Sequence, residues 1–375
     1  MSAAPSLYLS DFSMRRPEHE TPQSRALEWL VELHARARPD LDVEHLRRLV
    51  ARVACSPAAI ARRGHVMPDP ARGESPFYDV ERDPHGPGTE ARTRRFAEVV
   101  ERYFDEEYAG ERVPPADLVH VTCTGYISPS GGQKLVARRG WDSATRVTHA
   151  YHMGCYAAFP ALRIAAGCLV TPRGAARGAE ARADIVHTEL CSLHLDPAAG
   201  SAEQLVVQSL FGDGFIRYAL RAAPPPAPRR ALRFLALDEQ IVPDSAAAMG
   251  WAVGDHGMMM TLSSEVPKRI TGVLRGFVAG LFAQAGLPLA RGAIFAVHPG
   301  GPRIIDGVAE ALELDEAQVA TSRDVLRDHG NMSSATLPHI WMRLTDDPRV
   351  ARGTPVVSLA FGPGLTVCGG LARIE

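Results

Sequence analysis

The stretch His152-Met-Gly-Cys-Tyr-Ala-Ala-Phe-Pro-Ala-Leu-Arg163 places a cysteine between a glycine and a run of small and apolar residues. Glycine allows a sharp turn, and the small residues that follow permit a tightly buried helix start. At such a position, unpaired backbone N–H groups and the helix dipole favour the thiolate form of Cys155. The stretch therefore predicts a nucleophilic thiol, and a small buried structural cysteine is the alternative.

Two further segments carry polar side chains in restricted loops. His298 ends the apolar run that begins at Ala293 and is followed by Pro-Gly-Gly-Pro, while Asn331 opens Asn-Met-Ser-Ser-Ala-Thr-Leu-Pro after a glycine. Strand ends are where α/β folds place reactive side chains, so His298 is a candidate functional residue. The alternatives are a hydrogen-bonded structural histidine and an N-cap asparagine.

The composition is that of a globular protein with no strong charge. The chain has 375 residues, with 41 basic and 43 acidic side chains and a net charge of -2. Nothing in this balance favours nucleic acid or an anionic membrane as a partner. No signal-like segment and no long apolar run is present, so we expect a cytoplasmic protein. The six cysteines lack any CxxC spacing, so we expect reduced thiols and no metal.

Apolar patterning predicts an α/β core. Helical spacing starts at Pro22 and again from Val43 to about Ala61, and buried strands are expected in the runs that begin at Leu118, Ala183 and Ala293. The stretch from Pro172 to Arg182 has the composition of a loop with solvated arginines. Consecutive prolines between Ala222 and Arg230 cannot continue a helix or a central strand, so we place a boundary there. The expected domains are residues 1–225 and 226–375.

Taken together, these segments resemble the type III polyketide synthases, the chalcone synthase-like branch of the thiolase superfamily. The resemblance covers nearly the whole chain and rests on five motifs in order: Gly154-Cys-Tyr-Ala, Ser209-Leu-Phe-Gly-Asp-Gly, His298-Pro-Gly-Gly-Pro, Gly330-Asn-Met-Ser-Ser-Ala and Phe361-Gly-Pro-Gly-Leu-Thr. It implies a five-layered αβαβα thiolase fold of two similar halves, the first with the nucleophilic cysteine and the second with the histidine and asparagine. It also implies a homodimer.

The resemblance implies an acyltransferase of the ketosynthase type, with Cys155, His298 and Asn331 as catalytic residues. Cys155 paired with His298 would be a thiolate beside an imidazolium, able to attack an acyl thioester. His298 and the Asn331 amide would then stabilise the enolate of a second thioester, and backbone amides near Cys155 and Gly362 would hold the oxyanion. No bound cofactor is expected, because the substrates are carried on phosphopantetheine, either of coenzyme A or of an acyl carrier protein.

Several expected pocket positions differ from the usual family pattern. Phe211 keeps the first gatekeeper phenylalanine, Met260 replaces the second, His194 stands where threonine is common, and Trp251 where glycine is common. An unbranched thioether moves aside more easily than a ring, so the mouth is expected to admit a bulkier chain. The remaining expected substrate contacts are Ser333, Gly362, Pro363 and Gly364.

The cations that hold coenzyme A in the family have no equivalent at Val50, Val53 and Pro57. Nearby arginines, Arg52, Arg62 and Arg63, are the candidates for contacts with phosphopantetheine or an acidic carrier protein, although a solvated basic face is the alternative. The pattern suggests similarity to stand-alone ketosynthases that join two β-keto chains into an α-pyrone. An iterative coenzyme A-dependent enzyme with a malonyl extender remains the other interpretation.

Two other functional classes fit parts of the sequence. A Cys-His-Asn order also occurs in papain-like hydrolases, but there the nucleophile lies near the mature N-terminus in a Cys-Gly-x-Cys-Trp context, unlike Gly154-Cys-Tyr. A non-catalytic carrier-binding partner of the same fold is the second alternative. The presence of all three catalytic side chains argues against it.

Overall fold

The structure is a computed structural model of the 375-residue chain, and it describes residues 6–67, 77–171, 180–289 and 292–375. The main sheet has nine strands in the order β11-β12-β13-β8-β1-β7-β6-β4-β5, and two small two-stranded sheets pair β2 with β3 and β9 with β10. The strands are β1 Leu7–Arg15, β2 His19–Pro22, β3 Arg62–His65, β4 Pro115–Thr122, β5 Arg146–Tyr151, β6 Glu180–Glu189, β7 Gly214–Arg221, β8 Leu232–Ile241, β9 Met249–Gly254, β10 Gly257–Leu262, β11 Ile294–Val297, β12 Pro355–Gly362 and β13 Thr366–Ile374.

Ten helices cover the sheet in the described part of the chain. They are α1 Gln23–Ala37, α2 Val43–Val53, α3 Thr89–Glu107, α4 Gly131–Arg138, α5 Ala158–Val170, α6 Ala202–Leu210, α7 Val266–Gln284, α8 Pro302–Leu312, α9 Glu316–His329 and α10 Thr336–Asp346. Short 3-10 turns lie at Cys191–His194 and Ser333–Ala335. None of these helices is long and apolar enough to cross a membrane.

The α/β class expected from the sequence is confirmed, with each block of the main sheet drawn from one part of the chain. Strands from residues 226–375 form β11-β12-β13-β8, and strands from residues 1–225 form β1-β7-β6-β4-β5. The blocks meet where β1 pairs with β8. Because the sheet is continuous across this junction, the division into two domains stays a prediction.

Helices α5 and α10 lie in the interior. Phe159 and Trp341, one from each helix, are buried in a cluster that includes residues of both strand blocks. The small residues after Cys155 explain this position, because Ala157, Ala158 and Ala161 let the backbone of α5 approach the sheet closely. The sheet thus holds the start of α5 in a rigid setting.

The helix expected over Val43 to Ala61 is too long. Helix α2 ends at Val53, and the chain then turns at Ser56 and Pro57 before forming β3. Proline disfavours the helical conformation of the residue before it, which accounts for the early end. The difference matters for the site, since in the short strand β3 successive side chains point to opposite faces.

Candidate active site

Cys155 lies in the turn that leads into α5, after the end of β5. Its side chain is buried, and its Sγ is 4.0 Å from Ser333 Oγ. The preceding glycine, Gly154, has a φ of 81°, a left-handed conformation that L side chains rarely adopt. The predicted sharp turn before a buried helix start is therefore present.

The loop between β12 and β13 packs against this turn. A Cβ at Gly154 would lie 2.5 Å from Pro363 Cδ, and a Cβ at Gly362 would lie 2.4 Å from the Tyr156 ring and 3.6 Å from the backbone nitrogen of Cys155. Only glycine permits these two approaches. The Gly-Pro-Gly segment expected to hold an oxyanion is thus next to the thiol.

Asn331 and Ser333 reach the thiol from the turn between α9 and α10. Asn331 Oδ1 accepts hydrogen bonds from Ser333 N at 2.9 Å and Thr336 Oγ1 at 3.4 Å, which leaves the amide NH2 available to the thiol. Backbone hydrogen bonds between Asn331 and the Leu210–Gly212 segment tie this turn to Phe211. Ser333 has a φ of 49°, a strained conformation for a non-glycine residue that is typical of functional turns.

His298 is held at the end of β11 with its imidazole unused. Its backbone N–H donates to Leu359 O at 2.8 Å in β12, and the ring is 1% exposed. Neither ring nitrogen has a hydrogen-bond partner among the residues that the structure describes. Buried polar side chains are normally satisfied, so an imidazole without a partner is a feature that needs a functional explanation.

The thiolate–imidazolium pair expected from the sequence is not formed as a hydrogen bond in this structure. Burial, together with the charge of Glu189, raises the pKa of Cys155 to about 12, against the smaller lowering effect of Ser333 and Asn331. Burial lowers the pKa of His298 to about 3. Both shifts favour the neutral thiol and the neutral imidazole, because a desolvated charge is costly without a partner.

Glu189, at the end of β6, is a buried carboxylate that the sequence analysis missed. Its Oε2 accepts from Cys123 N at 2.9 Å and Thr124 Oγ1 at 3.0 Å, and its Oε1 accepts from the backbone and hydroxyl of Ser334. Burial raises the pKa of Glu189, and these donors lower it. The carboxylate thus joins the end of β4 to the Asn331 turn.

The hydrogen-bond chain continues from Ser334 into the core. His187 Nδ1 lies 2.9 Å from Ser334 Oγ, and His187 Nε2 lies 2.9 Å from the Tyr218 hydroxyl. Since the Ser334 hydroxyl donates to Glu189, His187 donates from Nδ1 and accepts the Tyr218 hydroxyl at Nε2. Every bond in the chain therefore points toward the carboxylate.

Cys155 lines a mostly apolar cavity of about 130 Å³. Of the substrate-contact residues expected from the sequence, six line it and two, Gly362 and Gly364, do not; the six are Phe211, Met260, His194, Trp251, Ser333 and Pro363. His298 and Asn331 are not among the residues that line it. Cys123 and Cys191 also line the cavity, so three thiols share one space.

Trp251 and Met260 face each other on the hairpin of β9 and β10. His194 fixes the same hairpin, because Met258 N donates to its Nδ1 at 3.1 Å and its Nε2 lies 2.8 Å from Thr124 O. Burial lowers the pKa of His194 to about 4, so the ring is neutral with Nε2 as the donor. Both ring nitrogens of His194 are therefore used in hydrogen bonds that hold this part of the cavity wall.

The three candidate carrier-binding arginines separate into two kinds. Arg52 and Arg62 are exposed and make no ion pair or hydrogen bond with any described residue. Arg63, the third candidate, does not lie on the surface beside them. Its guanidinium points inward to Gln23, Gln208 and Phe211 and lines the cavity, because neighbouring residues of β3 point to opposite faces.

No cluster of three or more metal-ligating side chains is present within residues 6–67, 77–171, 180–289 and 292–375. What the described residues offer is a thiol and a hydroxyl on the cavity wall, an amide that hydrogen-bonds to the thiol, and a buried imidazole without a partner among them. This set suits covalent acyl chemistry with hydrogen-bond stabilisation of an oxyanion.

Comparison with known proteins agrees with this chemistry. Residues 234–374 match the family described as chalcone and stilbene synthases, C-terminal domain. A curated relative, "Probable polyketide synthase 1" of Dictyostelium discoideum, is 30% identical over 268 residues, or 69% of this chain. The chain spans only 8% of the length of that relative.

Solved structures extend the likeness to the whole chain. The type III polyketide synthase domain of Steely1 from Dictyostelium, at 23% identity, has a TM-score of 0.82 over 98% of this chain and 99% of that one. The 1,3,6,8-tetrahydroxynaphthalene synthase of Streptomyces coelicolor A3(2), at 26% identity, has a TM-score of 0.79 over 98% and 99%. The thiolase fold expected from the resemblance is confirmed. Residues 234–374 therefore belong to the chalcone and stilbene synthase family by their C-terminal domain, and the chain as a whole has the fold of the type III polyketide synthases.

Proposed function

We propose that this chain is a ketosynthase that joins thioester-bound acyl chains through an acyl group carried on Cys155. The observation that carries the proposal is the convergence of the Asn331 and Ser333 side chains on the Cys155 thiol, which lines the cavity, together with the buried His298 imidazole, whose nitrogens have no partner among the described residues. This arrangement supplies a nucleophile and donors for an oxyanion in a dry setting.

The loading step uses the thiol and the imidazole together. The Cys155 proton passes to His298 as Sγ attacks the thioester carbonyl, so that charge appears on both groups at the same moment. The tetrahedral oxyanion collapses, the thioester C–S bond breaks, and the leaving thiolate takes the proton from His298. The neutral resting state does not oppose this step, because the two charges form as a pair.

Condensation uses Asn331 and His298 as donors. A second thioester loses CO2 or an α-proton, and its carbonyl oxygen, now an enolate, accepts hydrogen bonds from the Asn331 amide and the imidazole. The enolate carbon attacks the Cys155 thioester carbonyl, a carbon–carbon bond forms, and the C–S bond breaks to release the Cys155 thiolate. This thiolate takes up the α-proton from the His298 imidazole that accepted it or, after decarboxylation, a proton from solvent. The product is a β-ketoacyl thioester on the second carrier.

We propose an α-pyrone or a related lactone as the product. The cavity of about 130 Å³ is smaller than the roughly 300 to 1,000 Å³ usual for small-molecule sites, and Trp251 fills part of it. A small cavity limits the number of condensations. A short 3,5-dioxoacyl thioester closes to the lactone when its enol oxygen attacks the thioester carbonyl and expels the carrier thiol.

Carrier-protein delivery is the proposed source of the chains. Val50, where the family resemblance places a cation, is 3% exposed and packed in a core cluster. Arg62 is exposed one residue from the cavity wall, and Arg52 is exposed on α2, which packs on the cavity-lining helices α1 and α6. Unpaired cations near a substrate entrance favour an acidic partner surface. One relative is itself the domain of a type I/III hybrid, as its description states.

The deciding experiment is intact-protein mass spectrometry after incubation with acyl and β-ketoacyl thioesters on both donors, followed by product analysis. We expect an acyl adduct on Cys155 and a lactone product, with carrier-bound chains faster than the coenzyme A forms. Acyl release without condensation would indicate a thioester hydrolase. Equal use of both donors would favour the coenzyme A-dependent enzyme.

Arginine charge reversal sharpens the test of the donor. Arg52→Glu with Arg62→Glu should slow carrier-bound chains while leaving a short pantetheine thioester unaffected, and added salt should act in the same direction. Arg112→Glu is the matched control, because Arg112 is exposed, lies just before the start of β4 and is not among the residues that line the cavity. We also propose a homodimer, to be checked by light scattering.

A further inference from the structure

Arg63 is the only lysine, arginine, aspartate or glutamate among the described residues that line the cavity. Burial lowers its pKa to about 10, so the guanidinium remains protonated at neutral pH. The cavity that holds Cys155 therefore contains one fixed positive charge. A charge removed from water requires compensation, so its partners decide its role.

The bonds that Arg63 makes are all to neutral oxygens. Nε donates to Gln23 Oε1 at 2.8 Å, and Nη1 donates to Gln208 O at 2.9 Å and Phe211 O at 2.6 Å. No carboxylate of the described residues lies within ion-pair distance of the guanidinium. Nη2 makes no hydrogen bond within this part of the chain, although it carries two donor hydrogens.

A purely structural role explains only part of this arrangement. The Gln208 and Phe211 carbonyls lie at the C-terminal end of α6, where a cation is favoured by the helix dipole. The carbonyls at the end of α6 therefore explain the hydrogen bonds of Nη1, and Gln23 explains the hydrogen bond of Nε. Gln23 is itself buried and fixed by hydrogen bonds to Cys55 O and Ser209 O, so the guanidinium is held rigidly with Nη2 unused.

We propose that Arg63 Nη2 binds a carboxylate carried by the acyl chain that is loaded on Cys155. The inference rests on the proposed acyl-transfer function and adds a substrate class to it, the monothioesters of dicarboxylic acids. An anion is selected because the guanidinium is buried and forms no ion pair with a described residue; the charge of Asp213 acts on it only from beyond ion-pair distance. A carboxylate is selected because the phosphate of a phosphopantetheine arm lies outside the cavity when its thioester reaches Cys155.

The carboxylate that Arg63 binds in this proposal is one that remains on the acyl chain after condensation. A cation bound to a carboxylate stabilises the anion more than it stabilises departing CO2, so it opposes decarboxylation. Arg63 therefore does not serve the carboxylate that is lost from an extender. It recognises the far end of the acyl group whose carbonyl carbon becomes bonded to Cys155 Sγ as the donor thiol leaves.

The test compares acids with their methyl esters. Synthetic N-acetylcysteamine monothioesters of straight-chain dicarboxylic acids, from succinyl to suberyl, are each paired with the ω-methyl ester, and the rate of Cys155 loading is followed by intact mass. At one or two adjacent chain lengths we expect the acid to load about 10-fold faster, the worth of one charge-assisted hydrogen bond. Arg63→Gln should abolish the preference, and Arg63→Lys should restore part of it.

Equal rates for acid and ester at every chain length would overturn the carboxylate site and leave the acyl-transfer function standing. Loading by neither series, while iodoacetamide still labels Cys155, would overturn both. If Arg63→Gln does not fold, the proposal is tested on the wild-type protein by measuring how small acids protect Cys155 from iodoacetamide. Free glutarate should then slow iodoacetamide labelling of Cys155 more than glutaramide does, and equal protection by the two compounds would refute the proposal.

Discussion

The indole of Trp251 donates its Nε1–H to the backbone carbonyl oxygen of Cys123 at 2.7 Å. This bond fixes the Trp251 ring, on β9, against the residue that follows β4. Both Trp251 and Cys123 line the cavity that contains Cys155. His152 Nε2, beside the nucleophile, lies 2.8 Å from the Trp251 carbonyl. Hydrogen bonds of the indole N–H and of the backbone carbonyl thus hold Trp251 in place, and its ring limits the size of the cavity.

Removal of this ring should enlarge the range of acyl chains. Trp251→Ala is expected to speed Cys155 loading by longer acyl thioesters relative to acetyl, at a stability cost of about 1 to 3 kcal/mol from the lost hydrogen bond and packing. Loading rates by mass spectrometry and urea unfolding measure the two effects. Val253→Ala is the control, because Val253 lies on the same strand and is 53% exposed. An unchanged chain-length profile would contradict the role of the indole.

Substitutions of Cys155 and Asn331 should affect different steps, the first acyl loading and the second condensation. Cys155→Ala is expected to abolish acyl loading, whereas Asn331→Ala should still load and condense about 100 to 1,000-fold more slowly. Asn331→Asp keeps the Oδ1 acceptor for Ser333 and should be slow as well, which separates the amide donor from the turn structure. Cys191→Ala, at another cavity thiol, should still load. Loading of Cys155→Ala at the wild-type rate would sink the nucleophile assignment.

The reactivity of the thiol should follow its raised pKa. Because burial raises the pKa of Cys155 to about 12, the thiolate fraction is small at neutral pH and grows about tenfold per pH unit. The rate of iodoacetamide labelling at Cys155 is therefore expected to rise continuously from about pH 7 to pH 9. A rate that is flat over this range would instead show a preformed thiolate paired with His298.

Substitution of Glu189 should affect stability and reactivity in opposite directions. Glu189→Gln removes a charge that raises the pKa of Cys155, so labelling at a given pH should become faster. The Gln amide has one acceptor oxygen for the four donors that Glu189 accepts, so unfolding should become easier by about 1 to 3 kcal/mol. The two measurements are made on one variant. Slower labelling with unchanged stability would contradict this account.

Acid should destabilise the fold through buried histidines. Burial lowers the pKa values of six of them well below 6.5: His120, His187, His194, His298, His329 and His339. The unfolded chain binds protons first as the pH falls, so this contribution to stability is complete above about pH 6.5 and is lost toward pH 3. Each histidine contributes a slope of about 1.4 kcal/mol per pH unit.

Urea unfolding at about pH 7.5 and pH 5.5 measures this slope. His329→Gln is expected to reduce it by the share of one histidine, because glutamine keeps an acceptor for Arg343 and takes up no proton. Equal unfolding free energies at the two pH values would show that the histidines charge in the folded state.

Local sequence patterns pointed to the two turns that carry Cys155 and Asn331. Cys155 and Asn331 stand in turns whose glycines and small residues mark a restricted backbone, and the structure brings both turns to one cavity. Glu189 carries no such signal, because it ends an ordinary apolar strand and its partners Cys123 and Ser334 are 66 and 145 residues away. The position of such a carboxylate is a property of the fold.

The arginines illustrate a second limit. Arg62 and Arg63 are adjacent in sequence, and only the assignment of β3 shows that they point to opposite faces. Arg182 belonged to a stretch expected to be a solvated loop; its residues 172–179 lie outside the described residues. Arg182 itself is in β6, 7% exposed, and forms ion pairs with Asp184, Glu180 and Glu111. A low-complexity composition hid these acidic partners.

Strand β1 has a consequence for the synthesis of the protein. It lies between β7 and β8, where Tyr8 pairs with Arg221 and Arg233, so a strand that is made long before its two partners joins the two blocks of the sheet. On the ribosome its backbone donors and acceptors stay unpaired until residues 214–241 have emerged. Such distant pairing is slow and leaves strand edges exposed to other chains. The nascent chain is therefore a substrate for chaperones that bind extended segments, and expression at low temperature with such chaperones should raise the soluble yield.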